Sequence, residues 1–171
     1  AAANLYRTQA RYGEAAPLDR RVLELRRQSR GEVDATTLSA AFNLALDYHQ
    51  LGEFGKAEEL LRELLAKYRK TTPASAATTA SALALFGRVL LKQQRPVEAE
   101  PPLRELVAVK EKQSALDWTT FAYRAILGEC LLDQKKFSEA EPLLVAGWEG
   151  MKEREPAIPE PSKPRLPEAL R

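Results

Sequence analysis

Residues Thr36 to Lys70, TTLSAAFNLALDYHQLGEFGKAEELLRELLAKYRK, decide the fold of this chain. Apolar residues recur at helical intervals on both sides of Leu51-Gly52-Glu53, which indicates two amphipathic helices joined by a tight turn. The segment that starts at Phe54 has counterparts starting at Tyr12, Pro96 and Phe137, at successive offsets of 42, 42 and 41 residues. A fixed period of this size is typical of helical-repeat proteins. The sequence therefore predicts an all-α solenoid of antiparallel helical hairpins.

The repeat predicts seven complete helices, preceded in residues 1–11 by the tail of another helix. The predicted ranges are 14–30, 35–50, 54–70, 76–93, 97–113, 117–134 and 138–154. Small residues recur at one position of each helix type, where we expect two helices to approach closely. They are Ala45, Gly87 and Gly128 on the first helices of the hairpins and Ala57, Ala99 and Ala140 on the second helices.

Polar residues mark several predicted helix starts. Asp34 precedes the Thr36-Thr37 pair, and its carboxylate can accept the free N–H groups of a first helical turn. Ser138 followed by Glu141 has the spacing of a capping box. Both patterns support the predicted boundaries.

The composition excludes several classes of function. The 171 residues are 44% hydrophobic and 29% charged, with a net charge of +2. Cys130 and His49 are the single cysteine and the single histidine, and no phosphate-binding loop, zinc-protease motif or nucleophile elbow is present. We therefore expect a protein that is not an enzyme and that uses no metal and no cofactor. The sequence has no apolar run of membrane-spanning length and no signal-peptide pattern, so we expect no membrane association and a cytoplasmic location.

The residues Asn43-Leu44-Ala45, Tyr48, Gly52, Phe54 and Ala57-Glu58 resemble the tetratricopeptide repeat, in the 42-residue form found in kinesin light chains. This resemblance implies a right-handed superhelix of about 3.5 repeats. The segment from Glu141 to Leu170 is also similar to arrays attached to large bacterial multidomain proteins, including Ser/Thr protein kinases. A kinase domain is accordingly an expected covalent neighbour.

The resemblance, together with the proline content, suggests a division of the chain. Residues 1–155 form the predicted array, with a partial repeat at about 1–33 and further repeats at 35–75, 77–116 and 118–155. Residues 156–164 are rich in proline and predict an extended linker. Residues 165–171 resemble the start of a further, truncated helix. We expect both ends to be trimmed from a longer protein.

The predicted function is a scaffold for protein–protein interaction, in which the first helices line a concave groove for a peptide or protein segment of unknown identity. With Ala45 packed against its partner helix, the 100° step per residue turns several neighbouring side chains toward the inner wall. The predicted groove residues are Asn43, Leu46, His49, Gln50, Ser81, Arg88, Lys92, Ala122 and Glu129.

A second hypothesis places binding at the basic ends of the second helices. Arg27, Arg30, Lys70, Lys112 and Lys152 are predicted to lie along one edge, where an acidic partner or a nucleic acid would bind. The balanced total charge makes nucleic acid the less favoured partner. The same residues are also explained by favourable interaction with the helix dipoles.

Overall fold

The computed structural model describes residues 2–70 and 76–158, and these residues form eight α-helices followed by one short 3₁₀ helix. The helices are α1 (Ala2–Thr8), α2 (Tyr12–Arg30), α3 (Ala35–Gln50), α4 (Phe54–Lys70), α5 (Ala76–Lys92), α6 (Pro96–Ser114), α7 (Trp118–Asp133), α8 (Phe137–Glu153) and the 3₁₀ helix Glu155–Ala157. The described residues contain no strand. The all-α prediction is therefore confirmed, and α1 is the predicted helix tail.

The helices belong to two compact units, Ala1–Gln93 and Gln94–Arg171. In the first unit each helix from α1 to α5 packs against the next one, and α3 also contacts α5. In the second unit α7 packs against both α6 and α8. Contacts between sequential neighbours are the packing pattern of a helical-repeat protein. Among the described helices, none combines the length and the apolar character needed to cross a bilayer.

The small residues of the repeat lie where helices approach each other. Ala45, Ala57 and Ala99 have no exposed surface, and Ala140 is 1% exposed. Large aliphatic side chains of the repeat helices are also buried. The leucines with at most 1% exposure are Leu61, Leu64, Leu83 and Leu90 in the first unit and Leu103, Leu106 and Leu131 in the second. Both sets of residues are buried, which agrees with close packing of the helices.

Two acidic N-caps fix the starts of first helices. The Asp34 carboxylate accepts hydrogen bonds from the backbone N–H groups of Thr36 and Thr37, as predicted, and Asp117 caps α7 in the same way through Thr119. The predicted capping box at Ser138 is wrong, because α8 already begins at Phe137 and its N-cap residue is Lys136. Ser138 therefore lies inside the first turn, where it cannot act as the cap.

The second unit has a dense core at the junction of α7 and α8. A Cβ added at Gly147 would stand 2.9 Å from the carbonyl oxygen of Phe121, so the two helices are in near backbone contact there. Ile158 is 4% exposed and packs with Phe121, Ala125 and Met151. Packing thus extends to Ile158, inside the range predicted as a linker. The rest of that range and the predicted helix at 165–171 lie outside the described residues.

We expect Gly147→Ala to lower the free energy of unfolding by about 1–3 kcal/mol, because the new methyl group forces α7 and α8 apart. Gly55→Ala is the matched control. Nothing lies within 4 Å of a Cβ at Gly55, which also occupies a helix. Since alanine favours helix over glycine, the control should leave the stability unchanged or raise it. Urea denaturation followed by circular dichroism measures both variants, and equal stabilities would contradict the close approach.

Candidate functional site

An open cleft of about 440 Å³ lies in the first unit. The predicted groove residues Leu46 and Gln50 form its α3 wall. The other lining residues come from α1 and from the first residue of α2, and they are Asn4, Arg7, Thr8 and Tyr12. The cleft thus combines two amides, a guanidinium and two hydroxyl groups with one aliphatic side chain.

The residues of the α1 wall were absent from the sequence-based prediction, although the repeat contains the signal for them. A shift of 42 residues carries Leu46 to Asn4 and Gln50 to Thr8. The same shift carries His49 to Arg7. Two pairs of cleft residues, Asn4 with Leu46 and Thr8 with Gln50, are therefore equivalent positions of two successive first helices.

Arg7 connects the cleft to a buried ionic triad, formed by Arg7, Asp19 and Asp47. The Arg7 guanidinium lies 2.5 Å from an Asp19 carboxylate oxygen and 3.1 Å from an Asp47 oxygen. Asp47 has no exposed surface, and Asp19 is 5% exposed. The triad joins α1, α2 and α3 directly beneath the cleft.

His49 is close to the two basic groove residues of α5. Burial first, and then the charges of Arg88 and Lys92, lower the pKa of His49, so its imidazole is neutral at pH 7. Its ring makes an edge contact with Phe54, with 5.8 Å between the ring centroids. Within the described part of the chain, its buried Nδ1 has no hydrogen-bond partner. Arg88 and Lys92 of α5 are thus near enough to His49 of α3 to act on its charge.

The other predicted groove residues are more dispersed. Asn43 is partly exposed, and the exposed Ser81 hydroxyl donates a hydrogen bond to the Ala77 carbonyl. Ala122 and Glu129 belong to the second unit, where Ala122 packs against the Phe121 core cluster. A continuous groove through both units remains a prediction.

Ion pairs account for part of the predicted basic edge. In the first unit Arg27 lies 2.9 Å from Glu63 and 3.3 Å from Glu32, and Lys67 contacts both of these glutamates. Four charges that the sequence separates by up to 40 residues therefore form one cluster. Its pairing reduces the positive charge that this edge presents to a nucleic acid.

A glutamate near the start of each of two second helices links that helix to the turn that follows the next first helix. Glu58 lies 2.8 Å from Arg62 and accepts a hydrogen bond of 2.9 Å from Gln93. Forty-two residues later, Glu100 lies 2.8 Å from Arg104, and Lys136 approaches it to 2.6 Å. The hydrogen bond from Lys136, followed by that from Arg104, lowers the pKa of Glu100 to about 2. These glutamates thus do more than complement a helix dipole.

We expect Glu100→Gln to destabilise the second unit at pH 7 by about 1 kcal/mol, a value reduced for the solvent exposure of both cationic partners. Because the folded-state pKa is depressed, the stabilisation is present above the ordinary pKa of 4.5 and is lost as the pH falls toward 2. Denaturation at pH 7 and pH 3 should therefore show a smaller difference between variant and parent at pH 3. Glu139→Gln, which removes a more exposed partner of Arg104, is the control and should cost less at pH 7. Equal effects of the two variants would contradict the special role of Glu100.

Comparison with known proteins identifies the repeat. The tetratricopeptide repeat family model matches residues 1–70. No curated protein matches the chain. Among solved structures, BtubC (BKLC) from P. vanneervenii is 19% identical and has a TM-score of 0.80, over 92% of this chain and 63% of that one. The chain thus spans less than two thirds of the length of BtubC.

Repeats of a putative kinesin light chain from Podosopora anserina are 18% identical, with a TM-score of 0.46 over 90% of this chain and 92% of that one. The family match over residues 1–70 and the likeness to BtubC together show that the chain has the fold of a tetratricopeptide-repeat array.

Proposed function

We propose that this chain is a protein-interaction module and that the cleft of the first unit binds an extended peptide or protein segment. The observation that carries this proposal is the composition of the two cleft walls. Tetratricopeptide repeats are in general protein-interaction scaffolds, and the proposal assigns that role to one particular surface. It contains no catalytic step.

The cleft walls fit the chemistry of an extended backbone. Such a segment presents N–H donors and C=O acceptors that have no partner within the segment, and a side-chain amide can both donate to and accept from them. Asn4 and Gln50 supply amides on opposite walls and are both exposed. Leu46 supplies apolar contact between them. An extended segment also loses chain entropy on binding, so we expect affinity in the micromolar range, about −8 kcal/mol.

The proposal extends to the rest of the predicted groove. We include His49, Arg88 and Lys92 on α3 and α5 of the first unit, and Ala122 and Glu129 on α7 of the second unit. We further propose that the chain works in the cytoplasm as one module of a larger bacterial protein, with a Ser/Thr kinase domain as a candidate neighbour. These assignments rest on the sequence resemblance.

A peptide-display library selected on the 171-residue chain tests the cleft without a known partner. Selected peptides should bind Leu46→Glu at least tenfold more weakly, because the carboxylate replaces the apolar contact. They should bind Gln50→Ala about fivefold more weakly, the loss expected for one hydrogen bond. Fluorescence polarisation with labelled peptides measures both dissociation constants.

Leu18→Glu is the matched control, since Leu18 is 38% exposed on α2 and does not line the cleft. It should leave the affinity unchanged. Peptides that bind Leu46→Glu as tightly as the parent would exclude the cleft. A salt titration with a single-stranded oligonucleotide tests the edge hypothesis, because nucleic-acid binding at Arg30, Lys70 and their counterparts should weaken steeply with salt.

A further inference from the structure

The ionic triad replaces hydrophobic contacts that the other repeats keep. Asp19 occupies the position of Leu61 and Leu103, and the latter two are at most 1% exposed. Asp47 occupies the position of Val89 and Cys130, both without exposed surface. The first interface between neighbouring repeats therefore contains two carboxyl groups where the later repeats have aliphatic or thiol groups. This exchange carries a desolvation cost, which no requirement of the fold explains.

One guanidinium serves two buried carboxyl groups. Arg7 contacts both Asp19 and Asp47, yet neither Asp47 oxygen has a well-directed hydrogen bond within the described residues, and the same holds for Arg7 Nε. Two ionised carboxylates beside a single arginine would leave a net negative charge in a largely buried region. A proton shared between the carboxyl groups removes that charge.

Charged groups on α1 and α2 act on Asp47 itself, and those on α4 and α5 act on the neighbouring Tyr48 and His49. Burial raises the pKa of Asp47 to about 7, the Arg7 charge on α1 opposes this, and a hydrogen bond with Asp19 on α2 adds to it. On α4, Lys56 lies over the ring of the adjacent Tyr48. On α5, Arg88 and Lys92 act on His49. Protonated Asp47 can thus donate to Asp19 while Arg7 pairs with the remaining charge.

We propose that Arg7, Asp19 and Asp47 form a proton-sensitive latch that fastens α1 to α2 and α3 and so controls the α1 wall of the cleft. The latch holds α1 tightly when the two carboxyl groups share a proton, and it loosens when both are ionised. Its effect on peptide affinity rests on the proposed function of the cleft. The latch itself does not depend on any ligand.

The triad is one attachment of α1 to α2 and α3, beside the buried Ala3. Helix α1 supplies three of the six residues that line the cleft, so a change in its attachment alters one wall of the cleft. Local opening of a single helix requires much less free energy than global unfolding.

The direction of the pH effect follows from linkage. The folded-state pKa lies above the ordinary value of 3.8, so the stabilisation is complete below that value and is lost as the pH rises through about 7. A single group with a pKa of 3.8 in the open state and about 7 in the folded state releases its proton more readily when α1 opens. The equilibrium constant for opening of α1 therefore increases on the order of a hundredfold between pH 5 and pH 8. Below pH 5 the opening changes progressively less.

Hydrogen exchange of ligand-free protein, followed by NMR and corrected for intrinsic rates, tests the latch. The amides of Gln9, Ala10 and Arg11 donate to α1 carbonyls, so they report the opening of this helix. Their protection should fall by tenfold or more from pH 5 to pH 8. Asp47→Asn keeps a donor toward Asp19 without titrating, so its protection should not change with pH. A parent protein without pH-dependent protection would overturn the proposal.

Two further variants separate the latch from general destabilisation. Asp19→Leu with Asp47→Val installs the pair that the next repeat carries as Leu61 and Val89, and it should remove the pH dependence in a folded protein. His49→Gln should retain the parent pH dependence, because this histidine is outside the triad. The proposal fails if the double variant keeps the parent profile or if His49→Gln abolishes it.

Direct titration of the Asp47 carboxyl carbon should show a midpoint near 7, and a midpoint below 5 would also overturn the proposal.

The coupling to the cleft has a separate readout. Peptides selected on the parent should bind more weakly at pH 8 than at pH 6, and Asp47→Asn should bind them equally at both values. If hydrogen exchange depends on pH but peptide binding does not, the triad is a latch for α1 but does not control the affinity of the cleft. Peptides that do not use Leu46 would contradict the proposed function and leave the exchange result unaffected.

Discussion

Close approach between neighbouring helices is the constraint on which this structure depends. A helical hairpin has one apolar face toward its partner and another toward the next hairpin, and it buries both only by stacking. Ala45 and Ala57 in one repeat, and Ala99 and Ala140 in the following ones, have almost no exposed surface because two helices meet at each of them. At Gly147 the approach is closer still, since even a methyl group would press on the Phe121 carbonyl. Larger side chains are accommodated only around these points.

The polar groups of the array follow the same repeat and join its helices. Glu58 and Glu100 hold equivalent positions, and each contacts a side chain of its own helix and a side chain of the turn after the next first helix. Arg27 and Lys67 likewise share Glu32 and Glu63. Exposed pairs of this kind contribute little to stability. They do fix which charges remain available at the surface, and this bears directly on the hypothesis of a basic edge.

The first interface departs from the repeat in a way that suggests a function. Residues such as Leu61 and Val89 stabilise an array because they bury apolar surface without burying a charge. Asp19 and Asp47 instead require a counter-ion to remain buried. Since Arg7 supplies the counter-ion and also lines the cleft, the departure lies next to the proposed binding surface. Buried charges in an otherwise apolar core conflict with stability, and such positions are where functional constraints are expected.

The sequence by itself determined the helices, their period and the identity of the small packing residues, because 3.6-residue periodicity and repeat offsets are properties of the chain alone. It also predicted Leu46 and Gln50 as inner-wall residues, from the angle of each position around α3. The cleft opposite them was decided by tertiary structure, since only packing brings Asn4 and Arg7 of α1 beside α3. The buried triad was likewise beyond the sequence, in which Arg7, Asp19 and Asp47 read as ordinary charges on three separate helices. Burial and proximity turn those charges into one ionic cluster, and both arise only when the helices stack.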